Sequence, residues 1–361
     1  MYSLRLKEYF LFIPLILLFG AIGGCSLSDN KPKLLWEKTY TDKIRGIYIS
    51  NDAGNVIVHT SKKILYLSPS GERLWEKGEG KNWGWIGGVG ISDDGEYIVL
   101  QAALATEEAE QIKDFYTYYL DKTGKVIWSS KTLKGITSFS PDGKYIITGS
   151  ALDEEMEVYN NRGILLWKTK TAGIWSIKFD PTGKFFFANE AGIGVLYSTA
   201  GDKIATFNAG MNPQICDNAQ YILVQSIELD KRSSIYLYQR NGKLLKTLNG
   251  KGGCISQDGS LYIIVDKNRL RLIQREKDSV LWEIGVPDIN TCSISRNNRF
   301  IFAVSRKGAD EYSVIYIFDI KDKKKIKPLK INGLEKVRVT SDGKYFIVLQ
   351  KGNKVRMFKN Y

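Results

Sequence analysis

Histidine is nearly absent from this chain, which contains a single one, His59, among 361 residues. Catalysis by a Ser-His or Cys-His pair would depend on that one side chain, and metal sites built from several histidines are excluded. His59 lies in an apolar segment that predicts a β-strand, where we expect a packed structural role. A phosphate-binding loop opens a helix, whereas the glycine-rich stretch 84–90 leads into a predicted strand. We therefore predict no catalytic residue, no metal ion and no cofactor.

Cysteine is also scarce, with four residues in the whole chain. Without Cys25, the remaining Cys216, Cys254 and Cys292 are odd in number, so a complete disulfide framework is excluded. Their even spacing of 38 residues does not place them at the same position of the sequence repeats described below. We predict that these three are buried, unpaired thiols in strands.

The first 25 residues differ from the rest of the chain. A short basic start and an almost purely apolar run over residues 10–22 are followed by Gly23, Gly24 and Cys25. This is the layout of a secretory signal, whose apolar core is too short and too interrupted for a comfortable membrane span. We predict a signal peptide over residues 1–24.

The run Ile22-Gly23-Gly24-Cys25 resembles the lipobox of bacterial lipoproteins. The resemblance implies that Cys25 becomes the new N-terminus and carries acyl chains, with residues 25–32 forming the lipidated cysteine and a linker. Ser26 resembles the residue that permits sorting to the outer membrane in bacteria with two membranes. The alternative is an uncleaved anchor helix. Both interpretations predict an exported protein tethered to the cell membrane.

The net charge of +13 suggests nucleic acid or an anionic surface as a partner. Export argues against nucleic acid, and the basic residues are not gathered into one helix or tract. The densest run, Lys321–Lys327, holds five lysines around a predicted turn. We interpret it as solvated surface, with attraction to anionic lipid headgroups as the alternative.

One motif recurs eight times along the chain. It consists of a short apolar strand, a polar residue, a turn such as Asp-Gly, an aromatic residue and a second apolar strand, with clear copies at 90–97, 138–145, 178–185 and 338–345. Asp-Gly favours a hairpin because both turn residues must tolerate positive φ. A period near 40 residues predicts a β-propeller with one four-stranded blade per repeat. The polar residues before the turns are Ser50, Ser92, Ser140, Asp180, Cys216, Ser256, Ser295 and Thr340.

The two ends of the chain predict how the ring closes. The eighth repeat contains only three strands and ends with residues 354–359, while an unpaired strand at 33–40 precedes the first repeat. Pairing these two segments completes the last blade and leaves no open edge. We predict an all-β fold, a single eight-bladed β-propeller over residues 33–361, with seven blades as the alternative if one weak repeat is misread.

A tryptophan ends several repeats, after a turn that contains glycine; examples are Trp75, Trp128 and Trp167. This half of the repeat resembles PQQ-like propeller repeats, which implies that each tryptophan packs against the neighbouring blade. The first half resembles WD40- and TolB-type repeats. Anchor and blade number together resemble the BamB family of outer-membrane assembly lipoproteins. The PQQ-like resemblance also implies a quinoprotein dehydrogenase, but the adjacent cysteines usual in those enzymes are missing.

A four-stranded blade assigns its connections to two faces of the ring. Turns after the first and third strands share one face, here called the turn face; connections after the second and fourth strands share the other, here called the loop face. Long irregular loops on a rigid scaffold usually carry function. We predict that an acidic patch beside two tryptophans on the loop face contacts a partner, whereas Trp175 is a packing residue. The predicted contact residues are Trp83, Trp85, Glu107, Glu108, Glu110, Asp153, Glu154 and Glu155.

Two classes of function remain open. The first is a non-catalytic, lipid-anchored scaffold of the cell envelope that binds one or more envelope proteins. The second is a propeller that binds a small ligand or glycan, in which exposed tryptophan rings stack on sugar faces. A quinoprotein-type oxidoreductase is the third and weakest alternative. The predicted contact surface on the loop face has its own alternative. Its loops would then be solvated, with their aromatic side chains packed over the rim of the propeller.

Overall fold

The described residues form a closed ring of eight sheets, or blades, each built on four antiparallel strands. The computed structural model describes residues 26–360 apart from 29–30, 53, 61, 79–84, 104–114, 133–134, 209–210, 228–232, 267 and 307–311. Strands are numbered β1–β33 in chain order, and one short 3₁₀ helix spans Asp217–Ala219. The predicted all-β, eight-bladed propeller is confirmed.

Blades 1 to 4 each consist of four consecutive strands. Blade 1 contains β3–β6 (Ile44–Ile49, Val56–Thr60, Lys63–Leu67, Arg73–Gly78), and blade 2 contains β7–β10 (Trp85–Ile91, Tyr97–Ala103, Phe115–Asp121, Val126–Thr132). Blade 3 contains β11–β14 (Ile136–Phe139, Tyr145–Ser150, Glu155–Asn160, Leu165–Lys170), and blade 4 contains β15–β18 (Ile174–Phe179, Phe185–Glu190, Ile193–Ser198, Lys203–Phe207).

Blades 5 to 7 repeat this arrangement, and blade 8 joins the two chain ends. Blade 5 contains β19–β22 (Met211–Ile215, Tyr221–Ile227, Ser233–Gln239, Leu244–Asn249), and blade 6 contains β23–β26 (Gly252–Ile255, Leu261–Asp266, Arg269–Gln274, Ser279–Gly285). Blade 7 contains β27–β30 (Ile289–Ile294, Phe300–Arg306, Tyr312–Asp319, Lys324–Asn332), and blade 8 contains β31–β33 (Leu334–Val339, Tyr345–Gln350, Lys354–Lys359) with β2 (Lys33–Thr39).

The ring closes through β2, as predicted. β2 is the outermost strand of blade 8 and pairs antiparallel with β33, from Lys33 opposite Lys359 to Thr39 opposite Lys354. Glu37 strengthens the closure, because its carboxylate lies 3.0 Å from Lys354 Nζ and also pairs with Arg356. The pairing covers the outer edge of β33 and gives blade 8 four strands, as in the other blades.

Part of the segment predicted as a linker forms a strand instead. β1 (Ser26–Ser28) runs parallel to the start of β30, with Ser26 opposite Lys324, and becomes a fifth strand on the outer edge of blade 7. Backbone pairing with an exposed outer strand favours this position, because that strand has unpaired N–H and C=O groups.

The eight predicted polar residues perform one local task on the turn face. Each is buried, and its side chain accepts a hydrogen bond from the backbone N–H five residues later, at 2.8–3.0 Å. Ser140, for example, accepts from Tyr145 N–H and donates to Asp142. Because each turn satisfies its own buried polar groups, the same hairpin recurs despite the variation in sequence.

Tryptophans at the outer strands connect successive blades. The indole N–H groups of Trp36, Trp75, Trp128 and Trp167 donate to a carbonyl in the turn of the next blade at 2.7–3.0 Å. A Cβ on Gly163 (φ +77°) would lie 2.8 Å from the Trp128 ring, so only glycine allows this approach. In blade 5, Lys246 stands in the tryptophan position and pairs with Asp278 of blade 6.

Candidate interaction surface on the loop face

Half of the eight predicted contact residues, Trp83, Glu107, Glu108 and Glu110, lie outside the described residues, as does Cys25. Trp85 is the first residue of β7, and its backbone pairs with Ala103 at the loop-face end of blade 2. The neighbouring blade 3 carries the β12–β13 connection, residues 151–154, on the same face. The topology therefore agrees with the predicted assignment of both segments to the loop face.

The acidic residues of blade 3 divide into two groups. Asp153 and Glu154 are exposed and make no ion pair with any described residue. Glu155 is half-buried at the start of β13, with its carboxylate 3.3 Å from Lys170 Nζ and 3.8 Å from Lys168 Nζ. Asp153 and Glu154 are thus the acidic side chains of this group that remain available to a partner.

Three large apolar side chains are exposed at the loop-face ends of blades 3 and 4. Leu152 is 83% exposed, Trp175 is 58% exposed and Ile193 is 49% exposed. Trp175 was predicted to be a packing residue, and its exposure shows that this prediction is wrong. A Cβ on Gly192, next to Ile193 in the chain, would lie 3.8 Å from the Trp175 ring, so the ring and the β16–β17 connection are neighbours. We call Leu152, Trp175 and Ile193 the loop-face apolar cluster.

The β14–β15 connection holds this cluster together. Thr171 N–H donates to Glu154 O at 2.9 Å, and Gly173 O accepts from Ala191 N–H at 3.0 Å. Gly173 has φ +92°, and a Cβ there would lie 3.0 Å from Ala151 O. The β14–β15 connection is therefore held by backbone contacts to two turns. One turn carries Leu152, and the other precedes Ile193.

A β-bulge explains why Trp175 is exposed. The pairing of β15 with β16 shifts register between Ile174 and Ser176, so Trp175 is the extra residue on the bulged strand. Ile174 fills the core in its place, at 1% exposure. The sequence signal was a tryptophan two residues after a loop glycine, a position that strand alternation alone does not resolve.

The same bulge occurs in other blades, and the comparison shows that blade 4 departs from them. The innermost strands of blades 1, 7 and 8 also shift register after their first residue. The residues there are exposed like Trp175, but they are polar: Arg45, Asn290 and Glu335. In blade 4, this solvent-facing position of the repeat is therefore occupied by a tryptophan instead of a polar residue.

A second feature lies at the mouth of the central channel, between blades 5, 6 and 7. It is a cleft of about 300 Å³ lined mainly by amide, hydroxyl and glycine groups, with one lysine, one cysteine and the apolar Val265 and Ile289. Its polar residues suit a small ligand rich in hydroxyl or anionic groups. The lining includes Asn212, Gln214, Gln225, Lys251, Gly252, Gly253, Asn290, Thr291 and Cys292.

Basic groups on the innermost strands surround the channel. Lys178 of β15 is exposed to solvent and donates to Gln214 of β19 at 3.2 Å, and partial desolvation by the surrounding strands lowers its pKa. Lys336 of β31 donates to Arg45 O at 2.7 Å. His59 in β4 is 3% exposed; its burial, and then the charges of Lys336 and Arg45, lower its pKa to about 4. The predicted packed position of His59 is confirmed, and its imidazole is neutral at pH 7.

The described residues contain neither a metal-binding cluster nor a membrane-spanning helix. That part of the chain holds no group of three or more His, Cys, Asp or Glu side chains placed to bind a metal ion. Among the same residues, no helix has the length and apolar character needed to cross a membrane.

Solved structures share this architecture. The crystal structure of the C-terminal WD40 domain of Sif2 is similar over 94% of this chain and 100% of that one, with a TM-score of 0.67 and 12% identity. A crystal structure of a eukaryotic initiation factor covers 91% of this chain and 87% of its own, with a TM-score of 0.61 and 15% identity. Neither a protein-family model nor a curated protein sequence matches the chain. The molecule is therefore an eight-bladed β-propeller with a WD40-like fold.

Proposed function

We propose that this chain is a non-catalytic, lipid-anchored scaffold of the cell envelope that binds other proteins through its loop face. The observation that carries the proposal is the loop-face apolar cluster, with Asp153 and Glu154 beside it. Grouped, exposed apolar side chains mark interaction sites, and tryptophan is enriched among residues that dominate binding energy. The partner is a protein segment that presents apolar side chains together with lysine or arginine.

The position of β1 supports an anchor on the opposite face. β30 begins directly after the turn between the third and fourth strands of blade 7, and β1 pairs with its first residues. The chain therefore enters the propeller on the turn face, beside the run Lys321–Lys327. An acylated Cys25, bonded to Ser26, would attach the protein to the membrane from that side and leave the loop face open to partners. In a bacterium with two membranes we expect the outer membrane.

Site-specific photocrosslinking in intact cells tests the protein-binding proposal. A benzoylphenylalanine at position 175 or 152 should crosslink one discrete envelope protein. The matched control is position 244 in β22, where Leu244 is also apolar and 46% exposed but lies next to a turn on the turn face. Equal products from positions 175 and 244, or none from positions 152 and 175, would contradict the proposal.

Metabolic labelling with an alkyne fatty acid tests the anchor separately. The wild-type protein should incorporate the label and sediment with membranes. The variant Cys25→Ser should lose the label and accumulate as precursor or as unanchored protein. Full membrane retention of this variant, with an intact N-terminus, would support the anchor-helix alternative.

A ligand- or glycan-binding role is the second candidate, and the cleft at the channel mouth favours it. Lys251 is its charged lining residue, so an anionic sugar should bind there with a favourable charge contact. Calorimetry with a panel of neutral and anionic oligosaccharides would detect such binding. Lys251→Ala should abolish it and Trp175→Ala should not, whereas the protein partner should show the reverse dependence.

A further inference from the structure

Cys254 and Cys292 are neighbours in space, although 37 residues separate them in the chain. Their Sγ atoms lie 3.1 Å apart. Cys254 belongs to β23, the innermost strand of blade 6, and Cys292 belongs to β27, the innermost strand of blade 7. Both are free thiols, as predicted, but their proximity was not predicted.

The two thiols differ in access to solvent. Cys254 is 2% exposed, whereas Cys292 is half-buried and lines the cleft at the channel mouth together with Gly253 and Thr291. A small molecule that enters the cleft therefore meets Cys292 first. Cys216, the remaining cysteine of the propeller, is buried in blade 5, where its sulfur accepts a hydrogen bond from Tyr221 N–H. It performs the structural task of the repeat.

The surroundings of Cys254 disfavour its thiolate form. Burial raises the pKa of the Cys254 thiol well above its usual range, and the nearby Lys178 ammonium opposes that rise. Cys254 is therefore a poor first nucleophile, since thiol–disulfide exchange proceeds through the thiolate. Once Cys292 has reacted, however, Cys254 is the thiol held next to its sulfur.

We propose that Cys254 and Cys292 form a dithiol modification site that a small disulfide oxidant converts into an interblade disulfide. In the first step the Cys292 thiolate attacks one sulfur of the oxidant, forms a mixed disulfide and releases one thiol. In the second step the Cys254 sulfur loses its proton, attacks the sulfur of Cys292 and releases the second thiol. The protein loses two protons and two electrons, and the oxidant is reduced to two thiols.

The geometry requires little movement. A disulfide bond is about 2.05 Å long, so the two sulfur atoms must approach by about 1 Å, a change that side-chain rotation can supply. The bond would join the innermost strands of blades 6 and 7. The site does not depend on the proposed protein-binding function; export determines only which oxidants the protein meets.

Peptide mapping after oxidation tests the proposal. The reduced full-length protein is incubated with oxidised glutathione, its remaining thiols are alkylated, and it is digested with trypsin without reductant. We expect a linked pair of peptides, 252–267 with 278–296, that is two hydrogens lighter than the reduced pair. Cys216, in peptide 204–231, should be alkylated after denaturation.

Matched variants keep the test decisive. Cys216→Ser should leave the linkage unchanged, and Cys292→Ser should abolish it. Linkage should raise the melting temperature of the wild-type protein by about 4 °C, because it closes a loop of 38 residues in the unfolded chain. The proposal is overturned if both cysteines remain fully alkylated after oxidation, or if glutathione stays on Cys292 without transfer.

Discussion

The turn face and the loop face of this propeller are built on different principles. On the turn face, eight buried side chains make the same hydrogen bond to the backbone five residues later. On the loop face, the described connections differ from blade to blade, and one of them exposes Leu152 at 83%. The repeated face stabilises the ring, and the irregular face is free to vary, so function is best sought where the repeats stop resembling one another.

The cost of exposure supports this division. Burying the Trp175 side chain would stabilise the fold by a few kcal/mol, yet a bulge holds it in solvent. Blades 1, 7 and 8 show that a polar residue fits at this position. A partner that covers the Trp175 indole would gain the stabilisation that burial of this side chain provides.

Loss of ring closure should have the largest effect, because both faces depend on it. Deleting residues 33–40 removes β2 and exposes β33 as a bare edge, so we expect aggregation and loss of the cooperative melt. Size-exclusion chromatography and calorimetry measure both effects. Deleting residues 26–31 removes only the added strand β1 and should leave a folded monomer. A monomeric, cooperatively melting protein without residues 33–40 would refute the closure.

Substituting an interblade tryptophan should come next. Trp128→Ala removes the hydrogen bond to Asn161 O and the stacking on Tyr119. We expect the free energy of unfolding to fall by about 3 kcal/mol, measured by urea denaturation. Trp175→Ala is the matched control on the loop face and should change it by less than about 0.5 kcal/mol. If both variants lose the same unfolding free energy, Trp175 contributes to stability as much as an interblade tryptophan does, and the proposed difference between the two faces is wrong.

Removal of one turn-face acceptor should have a smaller effect. Ser140→Ala leaves the N–H of Tyr145 without its side-chain acceptor in a partly buried turn. The expected loss is about 1–2 kcal/mol of unfolding free energy. Ser129→Ala, at an exposed position of β10, is the control and should lie within about 0.5 kcal/mol of wild type. If Ser140→Ala is equally neutral, the repeated hydrogen bond is not a source of stability.

Charge reversal on the loop face should alter binding kinetics with little effect on stability. Changing Asp153 and Glu154 together to lysine should slow association with the partner several-fold, and added salt should reduce the difference. Surface plasmon resonance at two ionic strengths measures this. Glu72→Lys, an exposed acid on the turn face, is the control. An equal slowing by Glu72→Lys would show a net-charge effect instead of a local contact.

The fold could be predicted because all eight repeats contain the same hairpin, with a polar side chain at the same position before the turn. Ser50, Cys216 and Thr340 differ chemically, yet each supplies a buried acceptor at the same offset. The closing strand could be predicted as well, because the last repeat lacks a fourth strand and the first strand of the chain has no repeat of its own. β1 could not be predicted, since three residues are too few for their alternation to identify a strand.

The candidate site was predicted only in part. The loop face and the acids Asp153 and Glu154 follow from strand order. Trp175 was predicted to be a packing residue, because the bulge that exposes it cannot be recognised from strand alternation. The proximity of Cys254 and Cys292 also depends on packing between blades. Pairing rules within a blade give no information about such contacts.

The most direct test of the central claim measures Trp175→Ala for partner affinity and melting temperature in the same preparation. The account predicts about 30-fold weaker binding, equivalent to about 2 kcal/mol, with an unchanged melting temperature. A strongly lowered melting temperature with unchanged affinity would contradict it, because Trp175 would then be a packing residue and the partner would bind elsewhere.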